Sequence, residues 1–212
     1  MQALMKILAA SFITLILVAT PSGAAPRAVS GDLARQILAE TNLARSEPKR
    51  YAGYLREMRQ RYTGKAYRLS GSATMIMTTE GVAALDEAIA FLSRQAPLPK
   101  LAWSDGLAAA AADLVRDQAQ TGEVGHDGSN GDGVRKRIER HGDWSGRIAE
   151  NISYGPSKAR HVVIELIVDD GVTDRGHRKN IFNREFKVAG VACGTHQVYR
   201  RMCVMDFASQ FK

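Results

Sequence analysis

Cysteine is scarce: Cys193 and Cys203 are the only two in 212 residues. Neither sits in a thiol-protease context, and the segment Gly194 to Met202 between them is long for a metal-binding pair. The chain has no His-Glu-x-x-His, which removes the usual zinc-protease signature, and no Gly-x-Ser-x-Gly nucleophile elbow. Beyond its N-terminal stretch it has no second long apolar run, so nothing there reads as a membrane span. Aromatic residues make up 7% and do not interleave with the basic ones, as a surface for single-stranded nucleic acid requires. Acidic residues fall short of basic ones, 22 against 29, for a formal charge of +7. The cations are scattered, from Lys49-Arg50 through Arg135-Lys136-Arg137 to Arg175, Arg178 and Lys179. The expectation is a solvated basic surface drawn to anionic envelope polymers, with no nucleic-acid partner.

What is present begins with Lys6, an apolar run from Ile7 to Val18, and the small residues Ser22, Gly23, Ala24 and Ala25. This reads as a secretory signal. The run is too short for a bilayer core of roughly 30 Å, which needs ~20 residues. Cleavage after Ala24 places Ser22 and Ala24 at the small-residue positions and divides the chain into a signal, 1–24, and one domain, 25–212. An uncleaved anchor is the alternative. No Cys follows the run, which argues against a lipoprotein. In an oxidising compartment Cys193 and Cys203 are a disulfide candidate, since a hairpin would bring them together; two buried thiols are the alternative.

Helices are expected over Asp32–Arg45, Glu80–Ser93, Ser104–Thr121 and Lys158–Asp169, each with an apolar stripe at helical spacing. Ser104 and Asp105 give the third of these an N-cap and an acidic first turn, and its alanine run implies close packing. Val188–Cys193 and Arg201–Phe207 alternate like paired antiparallel strands, and Ile148–Tyr154 reads as a short strand. Arg56–Thr79 reads as a loop within a variable segment, 56–95. Helices followed by strands suggest an α+β sandwich of three layers.

The titratable residues that stand among small neighbours are His126 in Gly125-His126-Asp127-Gly128, Glu150 in Ala149-Glu150-Asn151-Ile152, and His177 in Arg175-Gly176-His177-Arg178. Imidazoles serve as bases or metal ligands, and a carboxylate can orient or ligate beside them. Nothing local forces the three together, so each alone reads more readily as structural. His161 and Glu165 share a helix face and read as a solvated pair. His141 and His196 read as surface or turn residues.

The motifs from Leu98 to Phe211 resemble the CAP superfamily of cysteine-rich secretory, antigen 5 and pathogenesis-related proteins, in its bacterial branch of SCP domains. The stretch Leu98-Pro99-Lys100-Leu101-Ala102-Trp103-Ser104 with its alanine helix, then Gly125-His126, Ala149-Glu150-Asn151-Ile152, Gly176-His177-Arg178-Lys179-Asn180-Ile181, Val188 to Ala192 and Asp206-Phe207-Ala208 come in the family's order. Asn42 and Arg45 fit its first helix. The resemblance implies a three-layer α-β-α sandwich with an antiparallel central sheet, and a cleft tetrad of two His and two acids. His126, Glu150 and His177 take three places; Asp169 is the candidate for the fourth, with Asp170 beside it. The family's Trp is absent there and Glu has become Asp, and Ala149 stands where Gly is usual. The resemblance also implies a divalent metal such as zinc held by His126 and His177.

Three functions follow as expectations. The first is an exported, periplasmic or secreted binding module for a divalent metal or an envelope or lipid ligand. The second is a metal-assisted hydrolase of peptides or cell-wall polymer with Glu150 as general base. The third is a structural tetrad with function on the basic surface.

Overall fold

The computed structural model describes residues 31–68 and 75–212; the N-terminal signal read from the sequence lies outside them. The chain opens with two helices, α1 (Gly31–Ser46) and α2 (Pro48–Arg59). Three short strands follow, β1 (Tyr62–Thr63), β2 (Ala66–Arg68) and β3 (Met75–Met77), then α3 (Val82–Arg94). Next come β4 (Ala102–Trp103), α4 (Asp105–Thr121), α5 (Val134–Glu139) and β5 (Trp144–Tyr154). The chain closes with α6 (Ala159–Val168), α7 (Gly176–Ile181), β6 (Val188–His196) and β7 (Arg200–Phe211).

The central sheet has the order β4-β6-β7-β5. Its three long strands are antiparallel, as expected, and the two-residue β4 adds a parallel rung beside β6. That rung is parallel because α4, β5, α6 and α7 intervene between the two strands and return the chain to its starting end. Alternation along the strands divides the core. Cys193, Cys203, Met205 and Phe207 face α1, α2, α3 and α6, while Ile152, Ala192 and Val204 face α4. The result is helices on both sides of one sheet.

α4 shows why the alanine run is there. Ser104 caps it by accepting from the Leu107 N–H at 3.2 Å, and Gly122 closes it in the left-handed region at φ 72°. Its small residues let the helix approach so closely that a Cβ on Gly190 of β6 would stand 2.0 Å from the Ala108 nitrogen. At the other end of the sheet, Asn42 mimics a strand by bonding both the N–H and the C=O of Leu101. The buried Arg45 donates to the carbonyls of Pro99, Ile181 and Asn183. These two polar residues of α1 fix the chain where it enters β4 and leaves α7.

Several local expectations are corrected. Residues 56–79 are not one loop: α2 runs on to Arg59, and β1, β2 and β3 form an antiparallel sheet in which Tyr62 stacks on Tyr67 at 5.0 Å. β5 starts at Trp144, four residues early, because a bulge between Ser145 and Ile148 breaks its alternation. Gly176–Ile181 is helical. His196 is buried, with Nε2 on the Glu123 carbonyl and Nδ1 accepting from Val198 and Tyr199 N–H, so it closes the β6–β7 turn. Cys193 and Cys203 face each other across that hairpin and form a disulfide.

Candidate functional site

Glu150 sits in β5 with its side chain 1% exposed. One carboxylate oxygen meets His126 Nδ1 at 2.7 Å, and the other accepts from Arg137 Nη2 at 2.6 Å. Arg137 is equally buried and supplies the opposite charge that a buried carboxylate requires. Its Nη1 also donates to the carbonyls of His126 and Asp132, which pins the Gly-rich loop 125–133 to α5. The bond to Glu150 is the main cause that holds the His126 pKa above its ordinary value.

Asp206 of β7 stands opposite Glu150 in the strand register and is fully buried. Neither of its carboxyl oxygens has a hydrogen-bond partner among the described residues, and Arg137 Nε lacks one too. Burial first, and the Glu150 charge second, push its pKa well above the usual carboxylate range.

A second histidine–carboxylate pair lies beyond β5. Asp169 ends α6 in the left-handed region at φ 57°. From there it meets His177 Nδ1 at 2.6 Å and accepts the His177 N–H at 2.9 Å. Arg178 ties the same corner together by donating to the carbonyls of Ile167 and Val168, the last turn of α6. Asn151 donates to the His177 carbonyl and accepts from Asn180. Asp170 turns away and accepts from the Thr79 and Glu80 N–H groups ahead of α3. Of the two adjacent aspartates, Asp169 is therefore the partner of His177.

The four expected site residues thus form two pairs, His126–Glu150 and His177–Asp169. They flank β5, the edge strand of the sheet, because Glu150 and Asn151 are neighbours in a strand and point to opposite faces. Along this edge runs a groove of about 690 Å³ between β5, α6 and the small sheet. Met58, Tyr62, Tyr67, Ile76, Ile152 and Ile164 are among its apolar lining residues, and Arg61, Arg68, Arg160, His161, Glu165, Asp169 and His177 among its polar ones. His126 and Glu150 do not line it. Glu150 is enclosed by Arg137 and His126, and this sealing removes the access that a general base needs.

Glu165 is solvent-exposed, as expected, but does not pair with His161. Its side chain stands at the groove and accepts the Ser153 hydroxyl at 2.6 Å. Desolvation by the protein crowded around the carboxyl pushes its pKa up to about 7, against the opposing bond from Ser153. His161 is half-buried, and desolvation lowers its pKa. Arg137, Asp206 and Glu165 were not among the site residues read from the sequence; the only trace of the first was its place in the basic run Arg135-Lys136-Arg137.

Zinc can be tested against the donors. Each histidine has its Nδ1 engaged by a carboxylate, which leaves Nε2 for a ligand and resembles the outer-shell support of metal-binding histidines. Zinc sites use three or four protein donors. Among the described residues no three His, Cys, Asp or Glu side chains converge as such a set. The site therefore does not fit a zinc centre of that kind.

The sequence matches the cysteine-rich secretory protein family, CAP, over residues 38–207, which includes both histidine–carboxylate pairs. The chain belongs to the CAP family. Among solved structures, this CAP domain is similar to an extracellular protein containing an SCP domain from Bacillus anthracis. The TM-score is 0.45 and the identity 24%, over 53% of this chain and 35% of that one. An outer surface protein of Borrelia burgdorferi gives a TM-score of 0.46 and 16% identity over 54% of this chain and 80% of that one. A cysteine-rich secretory protein of Staphylococcus aureus gives 0.42 and 14% over 68% and 46%. The chain spans about a third of the Bacillus protein and under half of the Staphylococcus protein. No curated protein matches the sequence.

Proposed function

We propose that this CAP domain is an exported binding module whose groove takes an amphiphilic ligand of the cell envelope. The observation that carries the reading is the groove itself: about 690 Å³, lined by apolar side chains together with polar and charged ones, Glu165, Asp169 and His177 among them. Small-molecule sites combine the two, with polar groups that fix the orientation of a mostly apolar ligand. The acyl or ring portion of a lipid would lie between Tyr62, Tyr67, Ile76 and Ile164. Its polar head would meet Glu165 and the free Nε2 of His177. A carboxyl that exchanges its proton near pH 7 can donate to a carbonyl or accept from an amine or hydroxyl. The metal-assisted hydrolase reading is not adopted, because the donors are too few for zinc and Glu150 is sealed off.

The test is titration with a fluorescent fatty acid. Saturable binding is expected, weakened at least tenfold by Ile76→Asp, which puts an unpaired charge among the apolar lining residues. Equal binding by both proteins would reject the groove as the site.

A further inference from the structure

The exposed large apolar side chains of the described residues are Met75, Met77, Val124, Val198 and Tyr199. They are not scattered. Val198 and Tyr199 form the tip of the β6–β7 hairpin, 69% and 46% exposed. Val124 stands beside them, because His196 of the same hairpin bonds the Glu123 carbonyl. The Tyr199 ring lies 5.3 Å from the Tyr154 ring, and Tyr154 lines the groove. Met75 and Met77 belong to β3, on the groove's other side, and Met77 lines it directly. The exposed apolar side chains thus form two lips on one groove.

Both lips carry unpaired cations. Arg200 and Arg201 follow Tyr199; Arg61, Lys65 and Arg68 surround β1 and β2. None of the five makes an ion pair among the described residues, whereas Arg59, Arg160, Arg175 and Arg178 are all paired. The hairpin is also braced. Gln197 donates to the carbonyls of Ala119 and Gln120 at the end of α4, and the Cys193–Cys203 disulfide closes the strands behind it. A fixed tip can insert without first being ordered.

We propose that these lips dock the groove's mouth on an anionic lipid bilayer. The proposal rests on the amphiphile reading of the groove and adds the surface from which the ligand enters. Apolar tips with a tyrosine and flanking cations suit the interface of a bilayer, where rings and aliphatic groups sink to the headgroup level and cations meet phosphates. A folded protein partner fits less well. A stable interface buries roughly 800 Å² on each side around a core depleted of charge, whereas these are two narrow ridges separated by an opening.

The experiment is cosedimentation of the exported protein with vesicles of phosphatidylcholine, with and without phosphatidylglycerol. Binding is expected only with phosphatidylglycerol and should weaken with salt. Arg68→Gln with Arg200→Gln, one cation from each lip, should weaken it about thirtyfold. Val198→Ser with Tyr199→Ser should weaken it at least tenfold. Apolar residues 7–18, if retained, are common to all variants, so binding that survives both substitutions would overturn the proposal. So would capture by soluble polyphosphate without vesicle binding. Fatty-acid uptake in solution by a protein that ignores vesicles would reject the docking and leave the groove reading intact. Vesicle binding that Ile76→Asp leaves unchanged supports docking, even where that variant takes up no fatty acid.

Discussion

Asp169 holds His177 twice, through the ring Nδ1 and through the backbone N–H at the start of α7. One carboxylate therefore sets both where the helix begins and how the imidazole turns. Asp169→Asn keeps the shape and the tolerance for the left-handed conformation but loses the charge, and is expected to cost about 1–2 kcal/mol in thermal or urea unfolding. Asp169→Ala adds strain at φ 57° and leaves the helix start without its acceptor, for about 2–4 kcal/mol. If both variants melt with the wild type, the pair contributes nothing to the fold.

Arg137 and Glu150 form a buried ion pair, with side chains 2% and 1% exposed. Removing one partner strands the other charge away from water. Arg137→Met alone is expected to destabilise by about 3–5 kcal/mol. The double variant with Glu150→Gln should recover a large part of that loss. Additive losses in the double-mutant cycle would show that the two do not act as a pair.

The fold was legible wherever an element was long enough to show its period. α4 announces itself by Ser104, its alanines and Gly122, and β6 and β7 by their alternation. β1, β2 and β3 have two or three residues each, too few for any period. The bulge in β5 hid that strand's first turn in the same way. His126, Glu150, Asp169 and His177 could be singled out only from the order of motifs, because their partners come from distant segments. Arg137, Asp206 and Glu165 were illegible for a related reason. A buried charge such as Arg137 or Asp206 and a solvated one look alike until the chain is folded, and Glu165 four residues from His161 imitates a pair although its partner is Ser153.

Two imidazole donors are fewer than a zinc centre uses, so calorimetric zinc titration is expected to show weak binding or none. His126→Ala and His177→Ala should then change stability alike with and without zinc. Saturable, tight binding lost in both variants would restore the metal site expected from the sequence.

The contact between Gly190 and α4 makes a steric prediction. A methyl group at this position would meet the backbone of Leu107 and Ala108 well inside van der Waals distance. Backbone cannot rotate away as a flexible side chain can, so the helix must shift off the sheet. Gly190→Ala is expected to cost about 1–3 kcal/mol, or more if α4 cannot move. Gly53, which has open space around it, is the control: Gly53→Ala lies in the α2 helix and should be neutral or stabilising. Equal melting temperatures for the two variants would contradict this account of helix–sheet packing.

Glu165 gives the protein a pH dependence near neutrality. Desolvation by the groove raises its pKa from 4.5 to about 7, so the folded state holds the proton more tightly than the unfolded chain. Its contribution is fully present below pH 4.5 and is lost as pH rises to about 7; solvent at this exposed side chain keeps the decline small. Glu80 works in the opposite sense and in another window. Arg175 lowers its pKa to about 2, so its contribution is present above 4.5 and fades as pH falls towards 2. Unfolding free energies measured from pH 4.5 to 8 should therefore fall for the wild type, with a smaller fall in Glu165→Gln, which keeps an acceptor for Ser153 but cannot ionise. Fatty-acid binding should follow the same step if the carboxyl meets the ligand's head. Identical pH profiles for the wild type and Glu165→Gln, in stability and in binding, would remove Glu165 from the groups that meet the ligand.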